Sequence, residues 1–395
     1  MSFNKGRIGF GVAAVAVALG MNAWGQSKPQ PPVLPVETSD VAVLPPAGPH
    51  RIFIESQLPD TYTTDGADVI DGDSGRILGQ VPVCCQGLIA VSRSADHVYV
   101  VETFYSHYNR GKREDVLSVY DGRTLSLQKE IPLPERKLAG YLPSLFDTSL
   151  DGRLAYVNGD AGMHVVDLDK GRLVTTVSMP GCSSVFPSGN RDFGFVCGDG
   201  TVGNVRVPET GEAHAVFSKP FFDAEHDPLF AEVGGDRATG EAWFVTFTGK
   251  VWPVKFGADG SAPEVGQPWS LDEAAGQPQA TTAVQQLAWR PGAYGKVMVY
   301  HHASHQLFVL MHQGKYWSHK DPGTEVWVLD TQTHKLVKRI MLQHPSATVL
   351  VSQDEHPQLY TLSTEPHELM VYDVGSGKLL HHRKEAGSLM LGTGY

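Results

Sequence analysis

The sequence predicts an all-β fold, a seven-bladed β-propeller over residues 50–395. Three observations predict it. A short pattern recurs seven times along the 395-residue chain. Each copy is a β-rich run, a polar turn carrying Asp or an equivalent with Gly, and a second β-rich run. Long amphipathic helical patterns are nearly absent. The copies begin at Val69 (VIDGDSGRILGQV), Ser118 (SVYDGRTLSLQKEI), Val165 (VVDLDKGRLVTTV), Asn204 (NVRVPETGEAHAV), Pro253 (PVKFGADGSAPEV), Val326 (VWVLDTQTHKLVKRI) and Met370 (MVYDVGSGKLLHH). Their spacing is roughly 40 to 50 residues with one wider gap, and periods of that size mark propeller blades.

Each copy reads as a hairpin between the two outer strands of a blade, with Asp, Gly, Ser and Asn supplying turn geometry and local hydrogen bonds. Upstream of most copies lies another strand pair, as in HVYVVETF at 97–104, RLAYVNGD at 153–160 and QLYTLSTE at 358–365. Four strands per blade, seven times, close a ring that leaves only short protected edges. The wider gap, around residues 257–295, is expected to hold a helical or loop insertion. Residues 388–394 (SLMLGTG) are expected to pair with the first blade and close the ring.

The chain is 41% hydrophobic and 19% charged, an ordinary globular composition. At this length a propeller can bury a core that needs no metal or disulfide. The formal net charge is -11, which opposes binding to phosphate backbones and excludes nucleic acid as a partner. Residues 1–25 read as a signal peptide: Lys5 and Arg7 form the charged region, residues 8–19 the apolar run, and Ala23 and Gly25 lie near the cut. That run is shorter than the ~20 residues a bilayer span needs, so no membrane anchor is expected. GFGVAA at 9–14 sits inside this export signal and follows no strand, which removes it as a dinucleotide fingerprint. Residues 26–49, rich in proline, form an extended arm.

An exported chain meets an oxidising compartment. Its four cysteines, Cys84, Cys85, Cys182 and Cys197, allow three pairings, and sequence alone does not choose among them. Cys182 and Cys197 flank a hairpin-like stretch. Cys84 and Cys85 are adjacent, as a strained vicinal disulfide or as two buried thiols. There is no nucleophile elbow, P-loop or zinc-protease motif. The turn DGDSGR at 71–76 starts like a calcium loop, but Pro82 stands at the twelfth position and the stretch reads as a hairpin turn. The histidines His301, His302, His305, His312 and His319 invite a metal reading, but strand alternation sends His301 and His302 to opposite faces, and no metal site is expected. Arg110, Lys112 and Arg113 follow the aromatic stretch Phe104, Tyr105 and Tyr108, either as a functional loop or as a solvated basic turn paired with Glu114 and Asp115.

Several stretches resemble the heavy subunit of the quinoprotein amine dehydrogenases, the methylamine and aromatic (aralkylamine) enzymes of bacterial periplasm. They are ETFYSHYNRGKRED at 102–115, Cys182 to Cys197 followed by Gly198-Asp199-Gly200, Trp289-Arg290-Pro291-Gly292 with the strand after it, and His319-Lys320 with EVWVLD at 325–330. The resemblance runs from about His50 to the C-terminal region. It implies a seven-bladed propeller and a Cys182–Cys197 disulfide. It also implies a periplasmic heterotetramer of two heavy and two light subunits. No cofactor is expected on this chain, because tryptophan tryptophylquinone is made on the light subunit. The implied reaction converts a primary amine to aldehyde and ammonia and passes electrons to a blue copper protein of amicyanin or azurin type. No catalytic residue is expected on this chain. Tyr105, with Phe104 beside it, maps onto an aromatic gate of the substrate channel. Two departures stand out: Cys84-Cys85 has no counterpart in the family pattern, and the gate is Tyr where methylamine enzymes carry Phe. DPLF at 227–230 and PWSL at 268–271 look closer to the aromatic amine branch. The alternatives are a self-sufficient propeller quinoprotein and a binding propeller with no redox role.

Overall fold

In the computed structural model, strands follow one another antiparallel with almost no helix, through residues 41–55, 66–84, 87–134, 142–257, 259–387 and 389–392. Residues 1–40, which include the expected signal peptide and most of the expected proline-rich arm, as well as Cys85, Ser388 and residues 393–395, lie outside the described residues. The first sheet contains β1 (Arg51–Glu55), β2 (Gly66–Asp71) and β3 (Arg76–Pro82). The second is β4 (Leu88–Val91), β5 (His97–His107), β6 (Arg110–Asp121) and β7 (Leu127–Pro132). The third is β8 (Phe146–Thr148), β9 (Leu154–Gly159), β10 (Gly162–Asp167) and β11 (Arg172–Val177). The fourth is β12 (Cys182–Pro187), β13 (Asp192–Cys197), β14 (Val202–Arg206) and β15 (His214–Phe217). The fifth has β16 (Gly234–Asp236), β17 (Glu241–Val245), β18 (Lys250–Lys255), β19 (Glu264–Val265) and β20 (Trp269–Ser270). One helical turn, α1 (Leu271–Ala274), follows. An eight-stranded sheet then holds β21 (Ala288–Pro291), β22 (Met298–His301), β23 (Gln306–Gly314), β24 (Gly323–Asp330), β25 (Lys335–Val351), β26 (Gln358–Ser363), β27 (Glu368–Asp373) and β28 (Leu379–Lys384). Finally β29 (Leu389–Gly392) returns to pair with β1.

All seven sequence repeats are antiparallel outer hairpins: β2–β3, β6–β7, β10–β11, β14–β15, β18–β19, β24–β25 and β27–β28. Their turns follow from side-chain chemistry. The Asp121 carboxylate accepts from the N–H groups of Arg123 (2.9 Å) and Thr124 (2.7 Å). Asp330 does the same for Gln332 and Thr333, and Asp373 for Ser376. An acceptor two or three residues before the N–H closes the turn without outside help. Gly75 completes the first of these turns at φ 68°, a conformation that favours glycine.

The expectation of seven separate blades needs correction. Hydrogen bonding yields five sheets of four or five strands and one of eight. The cause is β25. Its first half pairs with β24, its second half with β26, and Ser346 is shared, paired with Gly323 on one side and Ser363 on the other. One long strand therefore welds two repeats into a single sheet.

Apolar clusters lie between neighbouring sheets. One joins Leu117 and Val119 of the second sheet to Ala155 and Val157 of the third. Another joins Tyr156 and Val165 to Phe193 and Val205. The cluster of Ile52, Ile54 and Ile70 with Leu350, Tyr360 and Leu369 joins the start of the chain to its end. Together with the β29–β1 pairing, this closes the ring as expected. Each sheet is buried on both faces, so the strands read as near-continuous apolar runs. Only the outermost strands alternate, as in β28 and the first half of β25. Among the described residues no helix is long and apolar enough to cross a membrane.

Candidate functional site

Antiparallel order sorts the loops. In each four-stranded unit, the loop between second and third strands and the connection to the next unit leave from the same end. Exposed large apolar side chains follow this division. Some sit on outer strands: Ile77, Leu127, Val174, Val216, Phe217, Val337, Met341 and Leu380. Of the others, beyond Val41 and Val43, Tyr108, Leu142, Val284, Leu287 and Trp317 lie on the loops of that end, Phe104 lies on the part of β5 that leads to it, and Tyr294 lies between β21 and β22. Exposed apolar side chains collected at one end mark a candidate interaction face.

One part of this face is the distal end of β5 and β6. β4 covers β5 only to Val101 and β7 covers β6 only from Val116, so residues 102–115 form a ribbon of two strands. Across it, Thr103 faces Asp115, Phe104 faces Glu114 and Tyr105 faces Arg113. Tyr105 therefore shares a ribbon face with Thr103, Arg113 and Asp115, while Phe104 points to the opposite side. The expected gate pair is thus divided by strand alternation. Asp115 is 7% exposed and accepts from Thr103 Oγ1 (2.6 Å), Arg113 Nε (2.9 Å) and Arg113 NH2 (2.9 Å). Burial alone would lower the Arg113 guanidinium, but its bonds and ion pair with Asp115 outweigh burial and hold it above its ordinary value. On the opposite side Lys112 pairs with Glu114. Lys112 and Arg113 of the basic turn are thus paired with the two acids that the sequence placed beside them.

The second part is the insertion after the fifth sheet, a single helical turn and a loop. Ser270 caps α1 by accepting from the Glu273 N–H. Asp272 Oδ2 accepts from Ala280 N–H (2.8 Å). Arg290, fully buried, donates from NH2 to the Thr281 carbonyl (2.7 Å) and from Nε to the Gly314 carbonyl (3.2 Å), with Tyr316 against its guanidinium. Trp289 lies under the Arg339 guanidinium, 4.5 Å from its ring centre. Val284 and Leu287 of this loop are exposed, and the β23–β24 loop that carries exposed Trp317 is joined to it by Lys315 Nζ, which donates to Gln285 Oε1 (2.8 Å). Sequence reading missed this patch. Apolar residues in the Gln-rich stretch AVQQLAW were the available signal.

Cys182 and Cys197 form a disulfide, with S–S 2.08 Å, at the same end of their sheet. Cys84 is half-buried and its N–H donates to Glu102 Oε2 (3.0 Å). The histidines are dispersed. His301 meets Ser304 and the Asp354 carbonyl, His302 lies by Asp236, and His305 meets Tyr300. His312 meets Ser318, and His319 stacks on Phe247. Burial lowers His301, His302, His312 and His319 below the ordinary imidazole value. Among the described residues no three His, Cys, Asp or Glu side chains converge as a metal cage.

A cavity of about 100 Å³ lies between innermost strands, lined by Ser144, Asp147, Glu232, Arg237 and Lys296 among apolar neighbours. Its charges compensate one another. Arg237 NH2 lies 2.7 Å from Asp147 Oδ2. Burial raises the Glu232 carboxyl and lowers the Lys296 amine, each opposed by the other's charge. The arrangement sets opposite charges against one another within the cavity.

Comparison with known proteins agrees with this geometry. A family model described as "Methylamine dehydrogenase heavy chain (MADH)" matches residues 50–390. The methylamine dehydrogenase heavy chain of Methylophilus methylotrophus is 28% identical, over 89% of this chain and 84% of its own. That of Paracoccus versutus is 28% identical, over 96% and 94%. Among solved structures, a periplasmic gluconolactonase of Pseudomonas aeruginosa superposes with TM-score 0.57 at 15% identity, over 86% of this chain and 96% of its own. At that identity the last likeness carries the fold alone. With its family match running almost the whole length of the folded unit, this chain belongs to the methylamine dehydrogenase heavy chain family.

Proposed function

We propose that this chain is the heavy, cofactor-free subunit of a periplasmic amine dehydrogenase that converts primary amines to aldehyde and ammonia. Residues 1–25 act as its export signal. The chain joins a light subunit in a two-heavy, two-light assembly. Tryptophan tryptophylquinone on that light subunit supplies the oxidising chemistry, and a small blue copper protein takes the electrons. The observation that supports this reading, beyond family membership, is the collection of exposed apolar loop side chains on one face. The partner covers that face, removing Val284, Leu287 and Trp317 from water.

This chain's part in the reaction is to shape the substrate's path. Tyr105, on its ribbon, lines the entrance to the quinone site, excludes water and screens the amine substituent by shape. Phe104, pointing the other way, packs against the partner.

The test is purification of the native complex from its host, a visible spectrum, and a quinone stain after denaturing gel separation. The stain is expected on a small co-purifying chain and not on this one. Staining of this chain, or the absence of a small partner, refutes the reading. In parallel, Leu287→Asp with Trp317→Asp should abolish co-purification while leaving the melting temperature of the heavy chain within about 2 °C, as surface changes do.

A further inference from the structure

Resting on that reading, we propose that Asp115 is the positioning residue that holds Tyr105 at the substrate entrance, and so sets which amine substituents are admitted. The ribbon of residues 102–115 stands beyond the cover of β4 and β7. A two-stranded ribbon is marginal in water unless something pins it. Asp115 sits at its root. Its backbone carbonyl accepts from Leu133 N–H (2.9 Å), which ties the root to the end of β7. Its carboxylate gathers the Thr103 hydroxyl and two donors, Nε and NH2, from one edge of the Arg113 guanidinium. Thr103 and Arg113 lie on the same ribbon face as Tyr105, one step to either side: Thr103 is two residues earlier on β5, and Arg113 is the residue directly across. The planar guanidinium is locked at two points, at the strand position directly across from Tyr105. The buried acid thus fixes both residues that flank Tyr105 on its ribbon face, although it does not touch the substrate.

The alternative is that Asp115 only stabilises the hairpin. A double-mutant cycle separates the two. Holoenzyme is assembled with wild-type, Asp115→Asn, Tyr105→Ala and doubly substituted heavy chains. kcat and KM are measured for methylamine and for 2-phenylethylamine. Asp115→Asn is expected to change the ratio of kcat/KM between the two amines by about tenfold, through KM more than kcat. In the Tyr105→Ala background the same substitution is expected to add nothing, because its effect passes through Tyr105. An effect that adds fully in both backgrounds, or a fall in melting temperature with the ratio unmoved, overturns the assignment. If Asp115→Asn does not fold, Thr103→Val removes one bond to the same carboxylate and gives the same readout. If the wild-type complex oxidises neither amine, the proposed function falls first and this inference with it, before any substitution is made.

Discussion

Replacing Asp272 by Asn tests the framework that carries the apolar face. Asp272 is 1% exposed. Its Oδ2 accepts from Ala280 N–H, and Oδ1 has no hydrogen-bond partner among the described residues. Burial raises its pKa from 3.8 to about 6, opposed by the Ala280 N–H and the Arg290 charge. A carboxyl raised on folding binds its proton more tightly in the native state than in the unfolded one. The stability it contributes is therefore fully present below about pH 4 and lost as pH rises through about 6. The shift of roughly two units corresponds to about 3 kcal/mol at 1.36 kcal/mol per unit. Asparagine keeps the acceptor for Ala280 and cannot ionise. The variant should match wild type near pH 4 and exceed it by up to about 3 kcal/mol at pH 7.5. Urea unfolding of both proteins at pH 4, 5, 6 and 7.5 measures this gap. A variant less stable at pH 7.5 than at pH 4, relative to wild type, refutes the reasoning. It would mean that Arg290 holds the carboxylate as a favourable ion pair.

Two further substitutions probe the ring. Cys182→Ser with Cys197→Ser opens a loop with a sequence separation of 15 and should cost about 3 kcal/mol in the chain-entropy account; equal denaturation midpoints for oxidised wild type and variant would contradict it. Deleting residues 388–395 removes the strand paired with Ile52, Phe53, Ile54 and Glu55. At ~1 kcal/mol net for each lost backbone hydrogen bond, calorimetry should show a melting temperature lower by about 5 °C or more, and an unchanged melt would mean that the apolar cluster between first and last repeats closes the ring alone.

The outer hairpins were legible because their turns are local. Asp121, Asp330 and Asp373 each bind N–H groups two or three residues on, so the turn is written in adjacent letters. The gap after Pro253 was legible as an insertion for the converse reason, since it lacks the pattern. The division of the ring into sheets was not legible. It depends on Ser346 finding Gly323 and Ser363 at once, a pairing between segments whose separation no local pattern reports.

The candidate site divides the same way. Sequence named the stretch around Tyr105 and the acids beside Arg113, and the pairing of Arg113 with Asp115 spans only two residues. Which of Phe104 and Tyr105 shares a face with that pair depended on cross-strand register, which a one-residue slip would reverse. The apolar face was invisible in sequence because Leu142, Leu287 and Trp317 are far apart along the chain. Their loops share one end only because alternating strands return them there.

By itself, the sequence determined what short-range chemistry controls: an all-β chain, seven hairpin turns, the aromatic and basic ribbon, and a family likeness spread over its motifs. Tertiary structure alone decided the weld at β25, the side to which Tyr105 turns, and the gathering of distant apolar loops onto one face. Turn geometry is satisfied within a few residues, whereas register and loop placement are settled by hydrogen bonds and packing between strands that sequence distance does not order.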